Sequence, residues 1–346
     1  MRYPHNLPVG GTIGFLAPSF GCNIEPYKSA FDNALKKFQG MGYQVKLGPN
    51  CYAGEGVGIS NTPKKCGAEV NQMFCDSETD VLMSCGGGEL MCEVLPHVDF
   101  EQISTEKPKW YMGYSDNTNL TYLLTTLTDT ATIYAPCAPA FGMEPWHASL
   151  GDAFGIITGK IKTVQTYGKW EKESLKTPDN PLVPYNVTED VQIRTYIGNE
   201  LQEQNENISF EGRLIGGCMD CLVNLLGTRF DKTKDFLEKY KDDGFIWFLE
   251  ACDLNVFSIR RAMWQMEEAG WFQYVKGFLI GRPLNGSSMF GLDAYEAVLA
   301  VAGKKNVPVV FDVDLGHLPP MMPIVCGSYG EIKVQNNNVR IDMKFV

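Results

Sequence analysis

Residues 109–127 read KWYMGYSDNTNLTYLLTTL. Lys109 to Tyr114 is a short apolar stretch of strand length, and the residues from Ser115 onward are a polar cap followed by a helix. The same step, strand into turn into helix, recurs on both sides of this stretch. Thr12 to Ala17 (TIGFLA) is an apolar run with a Pro-Ser turn behind it, and Tyr27, Phe31, Ala34, Leu35, Phe38 and Met41 follow at helical spacing. Gly42 closes that helix and YQVKLG makes a second strand. A further helix carries Cys66, Val70, Met73 and Phe74, DVLMSC (80–85) runs as a strand into Gly86-Gly87-Gly88, and TIYAPC (132–137) ends the series. Alternation of this kind specifies an α/β fold: a parallel sheet with helices on both faces.

Outward from this half the pattern changes. Residues 165–207 are polar and hold three prolines with no clear period, which reads as a linker and loop between two domains. The expected division is 1–164, 165–207 and 208–346. From Gly212 the pattern resumes with RLIGG, a helix carrying Leu222, Leu225 and Leu226, and the strand GFIWFLE (244–250). A helix with Val256, Ile259, Met263 and Met266 on one face follows. The strands KGFLIG and PVVFDVDLG and a closing hairpin over Asn336-Asn337-Asn338 complete a mixed, β-rich half.

The 346 residues are 44% hydrophobic and 21% charged, enough apolar side chain for a sizeable core. Asp and Glu outnumber Lys and Arg by 41 to 30, for a formal charge of −11. That balance argues against nucleic acid or an anionic membrane as partner, because phosphate contacts need clustered cations. No apolar run reaches the roughly 18 residues of a membrane span. A soluble, cytoplasmic protein is expected. The 11 cysteines are irregularly spaced and odd in number, which fits buried thiols better than a disulfide framework.

Four positions could carry chemistry. Ser115 lies where a strand meets a helix, so its hydroxyl sits at the carboxyl edge of the sheet beside helix N–H groups; it reads as a nucleophile elbow without the second glycine, or as a plain helix cap. Gly86-Gly87-Gly88 lets backbone N–H groups approach a ligand and could supply an oxyanion hole. Glu250 ends a run of five apolar or aromatic residues, where a carboxylate is costly unless paired; it could also cap the next helix. His317, between Gly316 and Pro319-Pro320, is held as a base must be, or as a structural turn would hold it. Cys85, at the strand-to-glycine turn, offers a cysteine nucleophile instead, and a non-catalytic nucleotide-binding module is a further reading. No GxGxxG and no Walker lysine is present.

The segments GGTIGFLAPS, SCGGGELMCEVLPHVDF, KPKWYMGYSDNT, GRLIGGCMDCLVNLLGT and DLGHLPPMMPIVCG together resemble the LD-carboxypeptidases, serine peptidases that include muramoyl-tetrapeptide carboxypeptidases and the microcin C self-immunity branch. The resemblance implies a Ser–His–Glu triad on Ser115, His317 and Glu250. It also implies an oxyanion hole from the backbone N–H groups of Gly87 and Asp116, with Gly86 and Gly88 lining the substrate. The implied fold is a flavodoxin-like N-terminal domain with a smaller β-rich α/β C-terminal domain, as a homodimer, with no metal or organic cofactor. Cys85-Gly86-Gly87-Gly88-Glu89 departs from the Arg-Gly-Gly-Tyr-Gly turn common in the cell-wall enzymes. With the long 165–207 segment, this is closer to the microcin C immunity branch, in which a loop tryptophan stacks on a nucleobase. Trp170 matches that role ahead of Trp146 and Tyr185. The implied substrate is a small amide: an aminoacyl- or peptidyl-nucleotide, or alternatively a muropeptide.

Overall fold

A computed structural model of the chain describes residues 1–203 and 206–346. It divides into two compact units, Met1–Ile161 with Glu173–Asn186, and Lys162–Lys172 with Val187–Val346.

The first unit is built on the parallel strands β1 (Thr12–Leu16), β2 (Gln44–Leu47), β3 (Val81–Ser84), β4 (Trp110–Gly113) and β5 (Thr132–Tyr134). They lie in the order β2-β1-β3-β4-β5. Five helices connect and follow them: α1 (Tyr27–Gly40), α2 (Pro63–Cys75), α3 (Phe100–Thr105), α4 (Thr118–Thr128) and α5 (Ala148–Ile157). Alternation along β1 shows why both faces are covered. Phe15 meets Phe31 and Phe38 of α1, with ring centroids 5.4 and 6.0 Å apart. Its neighbour Leu16 points the other way, into a core with Val70 and Phe74 of α2 and Leu120 of α4. A parallel sheet buried on both faces reads as continuous apolar strands, as VLMS and WYMG do.

The second unit carries β6 (Thr163–Gln165), β7 (Lys169–Glu171), β8 (Val187–Asp190), β9 (Arg194–Ile197), β10 (Glu200–Leu201) and β11 (Ile208–Cys218). Helices α6 (Met219–Leu225) and α7 (Thr233–Lys239), strand β12 (Phe245–Glu250), helix α8 (Val256–Glu268), strand β13 (Val275–Gly281), helix α9 (Ala294–Ala302) and strands β14 (Pro308–Val313), β15 (Ile324–Cys326), β16 (Tyr329–Gln335) and β17 (Asn338–Lys344) follow. A mixed sheet runs β10-β9-β14-β13-β12-β11-β16-β17-β6. Its parallel centre, β11 to β14, is the most apolar part; Phe245 to Glu250 of β12 are all buried. The closing hairpin of the sequence reading is β16–β17.

Residues 165–203, within the stretch read from sequence as a linker and loop, are not irregular throughout. They contain most of five short strands: β6 and β9 pair with β17 and β14, and β7 pairs with β8. Strands of two to four residues have too few positions to show a period, and the partners of β6 and β9 lie far along the chain. No described helix is long and apolar enough to cross a membrane.

Candidate active site

The nucleophile candidate sits at a sharp turn. β4 delivers Gly113 and Tyr114 to Ser115, whose φ of +64° is left-handed. A non-glycine residue there is strained, and such strain concentrates at functional turns. Ser115 is not the cap of α4: it opens a 3-10 turn, Ser115–Asn117, and Asn117 stands at the cap position. Its N–H donates to the Tyr134 hydroxyl at 3.2 Å.

The glycine turn packs directly on this serine. A β-carbon at Gly87 would lie 3.1 Å from both the Ser115 β-carbon and its hydroxyl oxygen. Gly86 and Gly88 are confined too; a β-carbon at Gly88 would stand 2.2 Å from the Ser19 hydroxyl oxygen. Asn117 bridges the two turns, donating from Nδ2 to the Gly86 carbonyl at 2.7 Å while its Oδ1 accepts from the Tyr111 hydroxyl at 2.5 Å. Asp116, 4% exposed, has its carboxyl pKa pushed up to about 6 by burial.

Cys85 is sealed in the core, with its thiol pKa raised by burial. A thiol so placed is a poor nucleophile, so the cysteine reading has no structural support.

In the second unit, Glu250 at the end of β12 is 0% exposed and its Oε2 accepts from Nδ1–H of His317 at 2.8 Å. A carboxylate cannot donate, so the bond fixes a proton on Nδ1, and in the neutral ring Nε2 is then the acceptor. Burial disfavours the charged ring. The Glu250 carboxylate and the Cys252 side chain outweigh that and raise the His317 pKa well above that of free imidazole. The helix-capping alternative for Glu250 fails, because another residue does that work. Asp220 accepts from the N–H groups of Cys252, Asp253 and Leu254 at 2.9–3.1 Å, and Asn255 caps α8. Asp220 was not picked out from sequence; its partners lie more than 30 residues away. Gly316 is more confined than Gly87, with φ +98° and a position where a β-carbon would lie 2.6 Å from Glu250 Oε2. Gly316→Ala is expected to displace the carboxylate from His317 and lower kcat/KM at least ~100-fold, measured on protein whose circular dichroism is unchanged.

Trp170 is on β7 and lines a cavity of about 430 Å3 in the same unit. Ala251 and Leu318, the residues after Glu250 and His317, line it too. The Arg282 guanidinium stands 5.0 Å from the Trp170 ring centroid. The other two aromatic candidates are packed within the first unit. Trp146 sits among Phe38, Phe141 and Phe154, and Tyr185 lies against His147. Among the described residues no cluster of His, Cys, Asp and Glu could hold a metal ion.

The first unit holds a strained serine against a glycine turn, and the second holds a buried carboxylate orienting an imidazole. Both are parts of acyl-transfer chemistry. The LD-carboxypeptidase N-terminal domain family matches residues 13–135, and the LD-carboxypeptidase C-terminal domain family matches 211–332. The microcin C7 self-immunity protein MccF of Escherichia coli is 26% identical over 98% of this chain and 95% of its own. A probable murein peptide carboxypeptidase of Bacillus subtilis is 23% identical over 94% and 89%. The solved structure of MccF with glutamyl sulfamoyl guanosine superposes with a TM-score of 0.82 at 23% identity, covering 99% of both chains. An MccF-like protein from Bacillus anthracis gives 0.80 at 22% identity, over 99% of this chain and all of its own.

Proposed function

The chain belongs to the LD-carboxypeptidase family of serine peptidases, and from that premise we propose that it cleaves the amide of microcin C-type aminoacyl- or peptidyl-nucleotides with Ser115, His317 and Glu250 as its triad. The observation that carries the triad is the 2.8 Å bond from His317 Nδ1 to the fully buried Glu250. It explains why a carboxylate ends an apolar strand. The hydroxyl of Ser115 attacks the amide carbonyl while His317 Nε2 takes its proton. The Gly87 and Asp116 N–H groups receive the oxyanion, the protonated imidazole delivers the proton to the leaving amine, and water then releases the acyl group. Glu250 keeps the imidazole in the required tautomer and stabilises its charged form throughout.

The choice of a nucleotide rests on Trp170. Its half-buried ring lines a cavity that is flanked by the residues next to Glu250 and His317. MccF, the relative with 26% identity, has been solved with aspartyl sulfamoyl adenosine and glutamyl sulfamoyl guanosine. Stacking of a base on an aromatic ring is worth about 1–3 kcal/mol. Trp170→Ala is therefore expected to raise KM for an adenylate roughly tenfold to a hundredfold with a smaller change in kcat. A muropeptide has no base to stack and should be little affected. Hydrolysis of a panel of aspartyl and glutamyl sulfamoyl-adenosines and a tetrapeptide ending in D-Ala tests the substrate class. Turnover of the tetrapeptide alone would replace this reading with the cell-wall one suggested by the Bacillus subtilis relative.

A further inference from the structure

Asp116 is the residue after the nucleophile candidate, and its side chain turns away from the surface. Its Oδ2 accepts from the Ser19 hydroxyl at 2.6 Å and from the Met91 N–H at 3.0 Å. Its Oδ1 accepts from Asn119 Nδ2 at 3.0 Å. The partners come from three parts of the first unit: the segment after β1, the segment after the glycine turn, and α4. Ser19 is fully buried, and its neighbour Phe20 donates its N–H to the Gly87 carbonyl at 2.9 Å. Met91 and Phe20 thus fasten the 86–91 segment on both sides, and one carboxylate oxygen joins both fastenings to the serine turn. The space is closed as well, since a β-carbon at Gly88 would strike the Ser19 hydroxyl.

We propose that the Asp116 side chain is a positioning residue, whose carboxylate locks the Ser115 turn to the glycine turn so that Ser115 and the Gly87 N–H face one reacting carbonyl. The assignment rests on the reading of Ser115 as nucleophile. A hydroxyl and an oxyanion donor on separate loops lose alignment with small displacements, and a misplacement of about 1 Å costs on the order of a hundredfold in rate. Two buried hydrogen bonds onto one oxygen remove that freedom. The amide oxygen of Asn could accept the same two bonds, but its NH2 group would then face Asn119 Nδ2, which also donates to the Asp116 carbonyl at 2.9 Å, so the fastening is kept only in part.

The test is steady-state kinetics on Asp116→Ala, Asp116→Asn and Ser19→Ala, with Ser115→Ala alongside. Asp116→Ala should lower kcat roughly a hundredfold with KM within about threefold, because alignment and not binding is lost. Asp116→Asn keeps the two bonds to one oxygen and should recover part of the rate. Ser19→Ala cuts one fastening without touching charge and should lower kcat about tenfold; it gives the reading if Asp116→Ala does not fold. Wild-type kcat in folded Asp116→Ala or in Ser19→Ala overturns the proposal. So does a loss confined to Tm, with the folded fraction fully active, or an Asp116→Asn enzyme as slow as Asp116→Ala. Ser115→Ala separates the two claims: activity surviving in it defeats the nucleophile assignment, whereas a dead Ser115→Ala beside an unaffected Asp116→Ala defeats only the positioning role.

Discussion

Ser115→Ala is expected to abolish hydrolysis while leaving the fold intact. The substitution removes one oxygen at the surface of the turn and keeps the β-carbon that meets Gly87. Loss of a triad nucleophile lowers kcat by about six orders of magnitude in the best-studied serine peptidase, and several orders are expected here. Stability should not fall, because the left-handed backbone at residue 115 is as strained for serine as for alanine. The check is turnover of the preferred panel substrate beside a thermal melt. A variant within about tenfold of wild type, roughly 1.4 kcal/mol of barrier, is incompatible with Ser115 as nucleophile.

The second large effect is expected at Glu250. Glu250→Gln keeps the shape but can present its NH2 group to His317, which favours the wrong tautomer. In an analogous triad that exchange lowers kcat about ten-thousandfold. It also predicts a direction in pH. The carboxylate raises the His317 pKa, and a general base works only when neutral, so the acid limb of kcat/KM reflects deprotonation of the imidazole. Removing the negative charge lowers that pKa, so the residual activity of Glu250→Gln should rise at lower pH than that of the wild type. An acid limb that stays in place, or moves to higher pH, contradicts the pairing. NMR titration of the imidazole gives the same answer independently of activity.

Much of this was legible in the chain because it depends on local pattern. KWYMGYSDNT announces a strand, a turn and a helix within a few residues, and the parallel sheet places that turn at the carboxyl edge where such folds bind ligands. Glu250 could be suspected because a charge at the end of an apolar strand needs a partner. What the local pattern could not decide was whether that partner was a helix terminus or His317, 67 residues on. The supporting residues were missed for the same reason. Ser19 meets Asp116 across 97 positions, and Asp220 reaches its turn across 32 to 34. A buried serine or aspartate has the composition of a turn residue, and only the fold shows what it holds. Strands β6 and β9 escaped because their order comes from pairing with β17 and β14 and not from their own sequence.

The central claim is that Ser115 is the nucleophile of a serine peptidase. The most direct measurement is a peptide map of the enzyme after reaction with a fluorophosphonate, read by mass spectrometry. The account predicts one adduct per chain, located on Ser115, formed at a rate that collapses in His317→Ala. An adduct on another residue, or full hydrolytic activity in enzyme that has taken up the probe on Ser115, would contradict it.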